Sequence, residues 1–328
     1  MRALVLHKDG DDVRSVIEEV EEARLPEGDV LIDVAYSSLN YKDGLAVTNT
    51  GKIVRGDYPF VPGIDLAGTV VESDSPKWQV GDKVILTGWS TGEARWGGYA
   101  ERARAKAEHL VRLPDGMSLK EAMLVGTAGL TAMFSVLAIE EMRVTPDKGP
   151  VVVTGASGGV GSTAVALLAR AGYEVAASTG TVSAHGYLRE LGATQIVDRA
   201  ELAESPSNPL GKARWAGAVD SVGGSTLAHI ISQTMRHGCI AVCGLAGGHT
   251  LDTTVFPFIL RGIVLYGIDS NTALPEKREA AWARLAEAVD DGAFAGVDET
   301  ISLADVIPYS EKIVRGETRG RVIVDVRA

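Results

Sequence analysis

Three glycines, Gly155, Gly158 and Gly161, stand at a G-x-x-G-x-x-G spacing in VVVTGASGGVGSTAVALL. Four strand-like residues precede them, and an alanine-rich, helix-like stretch follows. Glycines in that setting let the backbone approach a pyrophosphate and let helix and strand pack closely. The helix N-terminus then offers unpaired N–H groups to the anion. Ser157, Gly158, Gly159, Val160 and Gly161 are therefore expected to cradle a dinucleotide. The second strand of such a unit ends in Asp or Glu when it reads the ribose hydroxyls of NAD. Here it ends in Ser178, Thr179 and Gly180, with Glu174 too early to take the acid's place. The two hydroxyls can donate to a 2′-phosphate, no acid repels it, and Gly180 leaves room. NADPH is the expected cofactor; capping of a turn is the alternative role for Ser178 and Thr179.

A second constellation lies in SSLNYKDG. Asn40 can hydrogen-bond a carbonyl or a ribose hydroxyl. The Tyr41 hydroxyl can contact the cofactor, orient substrate or relay a proton, with solvent water as the rival proton donor. Asp43 can hold the loop or orient its neighbours. These three are the candidate catalytic residues, and a capped turn is the competing reading. Thr127 and Thr131 open a long helical stretch, where they either touch a nicotinamide carboxamide or cap the helix. Leu245 in CGLAGG and Ser270 in GIDS follow late strands, at the carboxyl edge where parallel sheets bind ligands. Trp89 and Trp96 either wall a pocket or pack. The six histidines show no metal spacing.

The elements that must position these residues change character along the chain. Residues 1 to about 120 hold short β-like runs, such as DVLIDVAYSSLN, DLAGTVVES and GDKVILTGW, between Pro, Gly and Asp. A helix is expected over SLKEAMLVGTAGLTAMFSVLAIEEM, with Ser118 and Glu121 as a capping box. Strands (VVVTG, YEVAAST, TQIVD, GAVDSVG, CIAVCG, IVLYGID) then alternate with helices (GSTAVALLARA, SAHGYLRELGA, STLAHIISQTMRHG). That alternation predicts an α/β fold with a doubly wound parallel Rossmann sheet. The expected divisions are 1–122, 123–265 and 266–328. The first and last form a mostly antiparallel, β-rich catalytic domain, the middle binds NADPH, and a ligand cleft is expected between the two.

Thirty-two basic against 43 acidic residues give a net charge of −11, which argues against a general nucleic-acid or anionic-membrane surface. No apolar run is read as reaching the roughly 20 residues of a membrane span, and the N-terminus does not read as a signal peptide. Cys239 and Cys243 lie four apart in a strand, about 13 Å by strand rise, too far for a disulfide. A cytoplasmic setting follows from that reading.

SSLNYKDGLA, VPGIDLAGTV, LTGWSTGEARWGGYAE, GTAGLTAM, YLRELGA, CGLAGG, PFILRG and GIDS, together with the glycine turn, resemble the medium-chain dehydrogenase/reductase superfamily over nearly the whole chain. The GWSTGE…WGGYAE segment and PFILRG with GIDS resemble its quinone-oxidoreductase-like, acryloyl-CoA reductase branch. The resemblance implies a GroES-like catalytic domain and NADPH-dependent reduction of the α,β double bond of acryloyl-CoA to propionyl-CoA. Zinc members of the superfamily use Cys and His ligands, whereas no cysteine precedes Cys239 here, so zinc-independent chemistry is expected. Family members usually carry Arg or Lys where Thr181 stands, and Arg199 in IVDRAE is the candidate substitute. One charged hydrogen bond to phosphate is worth about 1.5–3 kcal/mol, so its loss would weaken NADPH preference by about one to two decades. Lys52, Arg55, Arg319 and Arg321 are candidate contacts for CoA phosphates, Arg321 also for the cofactor, against a solvated-face reading. The rivals are a quinone or enone reductase and a non-catalytic NADPH-binding relative. A homodimer joined through a late strand of the cofactor domain is an expectation from resemblance.

Overall fold

Short β-branched runs cut by Gly, Pro and Asp dominate the first part of the chain, and strand–helix alternation dominates its middle. The computed structural model describes every residue except Ala295. It divides into two compact units. One comprises Met1–Thr127, Ser270–Asp291 and Ala295–Ala328, the other Ala128–Asp269 with Gly292–Phe294. The expected cuts fell at 122/123 and 265/266. The second of these runs through a strand, because Val264–Gly267 still belongs to the parallel sheet.

The first unit begins with a hairpin, β1 (Arg2–Asp9) and β2 (Asp12–Glu19). It continues with β3 (Val30–Leu39), helix α1 (Tyr41–Val47), β4 (Asp65–Ser73), β5 (Lys83–Thr87), β6 (Arg102–Ala105) and β7 (Val111–Arg112). Helix α2 (Leu119–Glu141) follows and carries the expected capping box. The Ser118 N–H donates to Glu121 Oε2 at 2.7 Å, and the Glu121 N–H donates to Ser118 Oγ at 3.2 Å. The helix is not continuous as expected: Gly126 has φ 52° and ψ −160° and breaks it. Contrary to the sequence reading, α2 is long and apolar enough to cross a membrane. However, 83% of its apolar window is buried within the protein, the burial of a core helix.

The second unit is a parallel sheet of β8 (Val151–Val153), β9 (Val175–Thr179), β10 (Gln195–Asp198), β11 (Trp215–Asp220), β12 (Thr234–Val242) and β13 (Val264–Gly267). Its order is β10-β9-β8-β11-β12-β13, with every pair parallel. The chain starts at the middle, winds outward, returns, and winds the other way, which is the doubly wound arrangement. Helices α3 (Gly159–Arg170), α4 (His185–Glu190), α5 (Gly224–Gln233) and α6 (Phe256–Arg261) link the strands. The core gathers Val152, Trp215, Ala218, Ile230, Ile231 and Ile240. The sequence reading carried α5 to residue 238. In fact Thr234 turns to extended backbone, its Oγ1 bonding the Ile230 carbonyl at 2.8 Å, and TMRHG enters β12. Cys239 and Cys243 are free thiols.

The tail supplies α7 (Pro275–Asp290), β14 (Asp298–Ser302), α8 (Val306–Val314) and β15 (Arg321–Asp325). It returns to the first unit as β15 pairs antiparallel with β3, Val322 opposite Leu39. The resulting sheet runs β14-β15-β3-β4-β5-β7, with β6 also paired to β3. Only β14 and β15 are parallel in it. Leu4, Leu6, Ile32, Phe60, Leu66, Tyr99, Val322 and Val324 fill its core.

Candidate active site and cofactor site

In the second unit the three glycines have three separate reasons to be glycine. Gly155 has φ +58°, and a Cβ there would sit 2.5 Å from Ser221 Oγ. A Cβ on Gly161 would lie 2.3 Å from the Gly155 carbonyl oxygen, so helix and turn pack only without it. Gly158 is exposed, and its nearest obstacle is that same oxygen at 3.4 Å; its bareness leaves the N-terminus of α3 open to a ligand. The turn is fixed from behind. Thr154 Oγ1 donates to Asp220 Oδ1 at 2.7 Å, and the Gly223 N–H donates to Asp220 Oδ2 at 2.8 Å. Burial holds the Asp220 carboxyl above its ordinary range, against those hydrogen bonds.

The ends of β8 and β9 are tied together. The Ala156 N–H donates to the Ser178 carbonyl at 3.1 Å, and the Ser157 and Thr179 hydroxyls lie 3.2 Å apart. The Thr181 N–H donates to Thr179 Oγ1 at 3.1 Å. Asp198 pairs with Thr179 across β10 and β9, which brings Arg199 beside Gly180. The Arg199 side chain lies over that glycine so closely that a Cβ there would fall 2.3 Å from its Nε. Ser157, Gly158, Gly159, Val160, Gly161, Ser178, Thr179, Gly180 and Arg199 thus share one edge of the sheet. Ser178 and Thr179 are buried; Gly180 and Arg199 are exposed. Leu245 stands exposed in the loop after β12, and Thr131 is buried in α2.

In the first unit a buried polar network surrounds Asp65, which sequence reasoning did not single out. Asp65 is fully buried. Its carboxylate accepts from Ser38 Oγ (2.5 Å), Asn40 Nδ2 (2.9 Å), the Thr127 N–H (2.9 Å) and Thr127 Oγ1 (2.5 Å). Asn40 Nδ2 also faces Asp43 Oδ2 at 3.1 Å, while its Oδ1 accepts from Arg321 Nη1 at 3.1 Å. The guanidinium of Arg321 lies 4.0 Å from Asp65 and also donates to the Leu124 carbonyl at 2.9 Å. Asp43 accepts from the Ile64 N–H and from the Asn40 N–H, both at 2.9 Å. Its carboxyl is nonetheless pushed up to about 7, first by burial and then by the charge of Asp65. Tyr99 lies in the same network, its hydroxyl donating to the Ser38 carbonyl at 3.1 Å.

Gly126 makes this network possible. A Cβ there would stand 2.6 Å from both Arg321 Nη2 and Asp65 Oδ2. The break turns the next N–H, that of Thr127, onto the Asp65 carboxylate, so a buried acid caps the second part of α2. Asn40 therefore spends its amide within the protein, and Arg321 is buried rather than on a phosphate-facing surface. Tyr41, the first residue of α1, is exposed. One signal for Asp65 was available: it is the single acid in the otherwise apolar start of DLAGTVV. Arg321 offered a comparable one, a charge beginning the apolar run VIV. Elsewhere in this unit the Ser270 carbonyl accepts from Arg278 Nη2 at 2.5 Å. The Trp89 ring stacks on His109, with centroids 4.6 Å apart, and Trp96 packs against the core. Burial, followed by the charge of Arg95, holds the His109 imidazole down to about 4.

Residues 26–115 match the alcohol dehydrogenase GroES-like domain, and residues 159–287 match the family described as zinc-binding dehydrogenase. Among the described residues no group of three or more His, Cys, Asp or Glu could hold a metal ion. The chain is similar to the acrylyl-CoA reductase AcuI of Ruegeria pomeroyi, with 47% identity over 328 residues and 99% of each chain covered. It superposes on the yhdH oxidoreductase of Salmonella enterica, crystallised with NADP, at TM-score 0.97 and 50% identity over 99% of this chain and 100% of that one. It superposes on the yhfP protein of Bacillus subtilis, crystallised with NAD, at TM-score 0.95 and 44% identity over 99% of both. A doubly wound cofactor sheet, a GroES-like partner unit, and likeness along the whole chain lead to one assignment: the protein belongs to the medium-chain dehydrogenase/reductase superfamily, in its quinone-oxidoreductase-like, acrylyl-CoA reductase branch.

Proposed function

We propose that the protein is an NADPH-dependent, zinc-independent reductase of the α,β double bond of acryloyl-CoA, giving propionyl-CoA. The observation that carries this reading is the 47% identity to an acrylyl-CoA reductase over 99% of both chains. NADPH, when bound, supplies the hydride. The turn 157–161 fits its pyrophosphate, because Gly158 leaves the α3 N-terminus bare. Ser178, Thr179, Gly180 and Arg199 form the 2′-phosphate end, and the exposed Arg199 guanidinium provides the charge that Thr181 lacks. Leu245, Thr131 and Ser270 are assigned as further cofactor contacts.

On the substrate side, hydride addition at the β-carbon places developing charge on the thioester oxygen, which a hydrogen-bond donor must meet. Tyr41 is the group assigned to meet substrate or cofactor, since its ring is exposed. Asn40, Asp43 and Arg321 position it through the network around Asp65 rather than by direct contact. The Thr127 hydroxyl donates its proton to Asp65, so toward a ligand it can only accept. We further place the protein in the cytoplasm as a homodimer. Strand β13 ends the parallel sheet, and beside it Val255, Phe256, Ile259 and Leu260 leave an apolar face uncovered.

Oxidation of NADPH measured against acryloyl-CoA, a quinone and a simple enone tests the assignment. Acryloyl-CoA should give the highest kcat/KM, with NADPH preferred over NADH, and Arg199→Ala should reduce that preference. A quinone turned over faster than acryloyl-CoA would transfer the assignment to quinone reduction.

A further inference from the structure

Three successive residues, Gly88, Trp89 and Ser90, have φ of +76°, +57° and +59°. Left-handed backbone is unfavourable for residues with side chains, and it persists only where its surroundings hold it. Here they do. The Trp89 N–H donates to the Asn271 carbonyl (2.8 Å), and the Ser90 N–H donates to Asn271 Oδ1 (2.9 Å). The buried Arg278 holds that carbonyl from its other side at 2.9 Å and grips the Thr87 carbonyl at 3.0 Å. The Ser90 carbonyl collects the N–H groups of Glu93, Ala94 and Arg95 at 3.2, 2.9 and 3.2 Å.

This rigid loop holds two cations from other segments. Arg55 Nη2 donates to Ser90 Oγ (3.2 Å) and Glu93 Oε2 (2.8 Å), and Lys42 Nζ donates to Glu93 Oε1 (2.8 Å). The Glu93 side chain is only 12% exposed, whereas those of Lys42 and Arg55 are 45% and 59% exposed. One carboxylate between two cations leaves a local excess of positive charge in a chain of net charge −11. Exposed ion pairs contribute little stability, so stability alone does not account for such bracing. No protein partner takes the remaining donors of Lys42 and Arg55 among the described residues. Two cations at a fixed separation, with donors to spare, suit phosphate oxygens.

We propose that Lys42 and Arg55, braced by Glu93 on the left-handed loop, bind the phosphates of the CoA moiety. Lys42 directly follows Tyr41, so the same helix start would serve both the thioester and the nucleotide end of the substrate. The proposal rests on the acyl-CoA reading above. Its test compares acryloyl-CoA with acryloyl-pantetheine, which lacks the phosphates, in Lys42→Met, Arg55→Gln and the double variant. The ratio of kcat/KM for the first thioester over the second should fall about tenfold for each cation lost. An unchanged ratio in the double variant would overturn the site. Calorimetric titration with free CoA reads the site without turnover. Weaker binding by the double variant supports it even if no thioester is reduced, whereas equal binding overturns it even if acryloyl-CoA is the substrate.

Discussion

Asp43 and Asp65 share the amide of one asparagine, yet they are served differently. Asp65 faces Arg321 and the Thr127 N–H and hydroxyl, whereas Asp43 is held by the N–H groups of Asn40 and Ile64 and by the Tyr99 hydroxyl, beside a neighbouring acid. The raised value of about 7 for Asp43, against 3.8 for a free aspartate, means that the folded protein binds more protons than the unfolded chain between those limits. This group's contribution to stability is therefore fully present at low pH and is lost as pH rises through about 7. Asp43→Asn removes the titration. The melting temperature of the natural protein relative to that variant should fall between pH 5 and pH 8; a constant difference would mean that Asp43 is ionised throughout. Side-chain type made Asn40, Tyr41 and Asp43 legible as a group. Their wiring was not legible, because it depends on Arg321, 281 residues from Asn40 and delivered by the pairing of β15 with β3. Nothing local in the sequence encodes that register. The glycine turn was the opposite case, since all its determinants lie within a few residues of one another.

Periodicity and capping located the helices and parallel strands well, because each is specified by its own residues. They failed where tertiary contacts decide. Thr234 leaves α5 for β12, and α2 breaks at Gly126 in the middle of an apolar pattern that would otherwise continue. At Gly126 the backbone lies where only glycine is comfortable, and the space for a side chain is already filled by Arg321 and Asp65. Gly126→Ala should therefore cost about 1–3 kcal/mol from backbone strain alone, with more from displacing the buried ion pair. It should also reduce turnover beyond the effect of instability, since straightening α2 withdraws the Thr127 N–H from Asp65. Thermal unfolding and kcat at a temperature well below the transition separate these effects. An alanine variant of natural stability would show that the network tolerates a continuous helix.

At the scale of the whole molecule, the free edge of β13 and the apolar side chains of α6 give a direct test of assembly. Ile259, 67% exposed, stands among Val255, Phe256 and Leu260. Ile259→Glu should shift the protein toward monomer in sedimentation while leaving its melting profile intact at low concentration. A natural protein already monomeric at micromolar concentration would exclude the dimer. The return of β15 to β3 carries a further consequence. During synthesis, β3 leaves the ribosome almost 300 residues before the strand that covers its edge. The whole parallel sheet emerges in that interval, while the Tyr36–Leu39 stretch of β3 waits for the partner that β15 will supply. Such a chain is vulnerable to premature pairing with a neighbouring nascent copy. Removal of β15 should harm it far more than the loss of five residues suggests, because that strand closes the oldest part of the polypeptide.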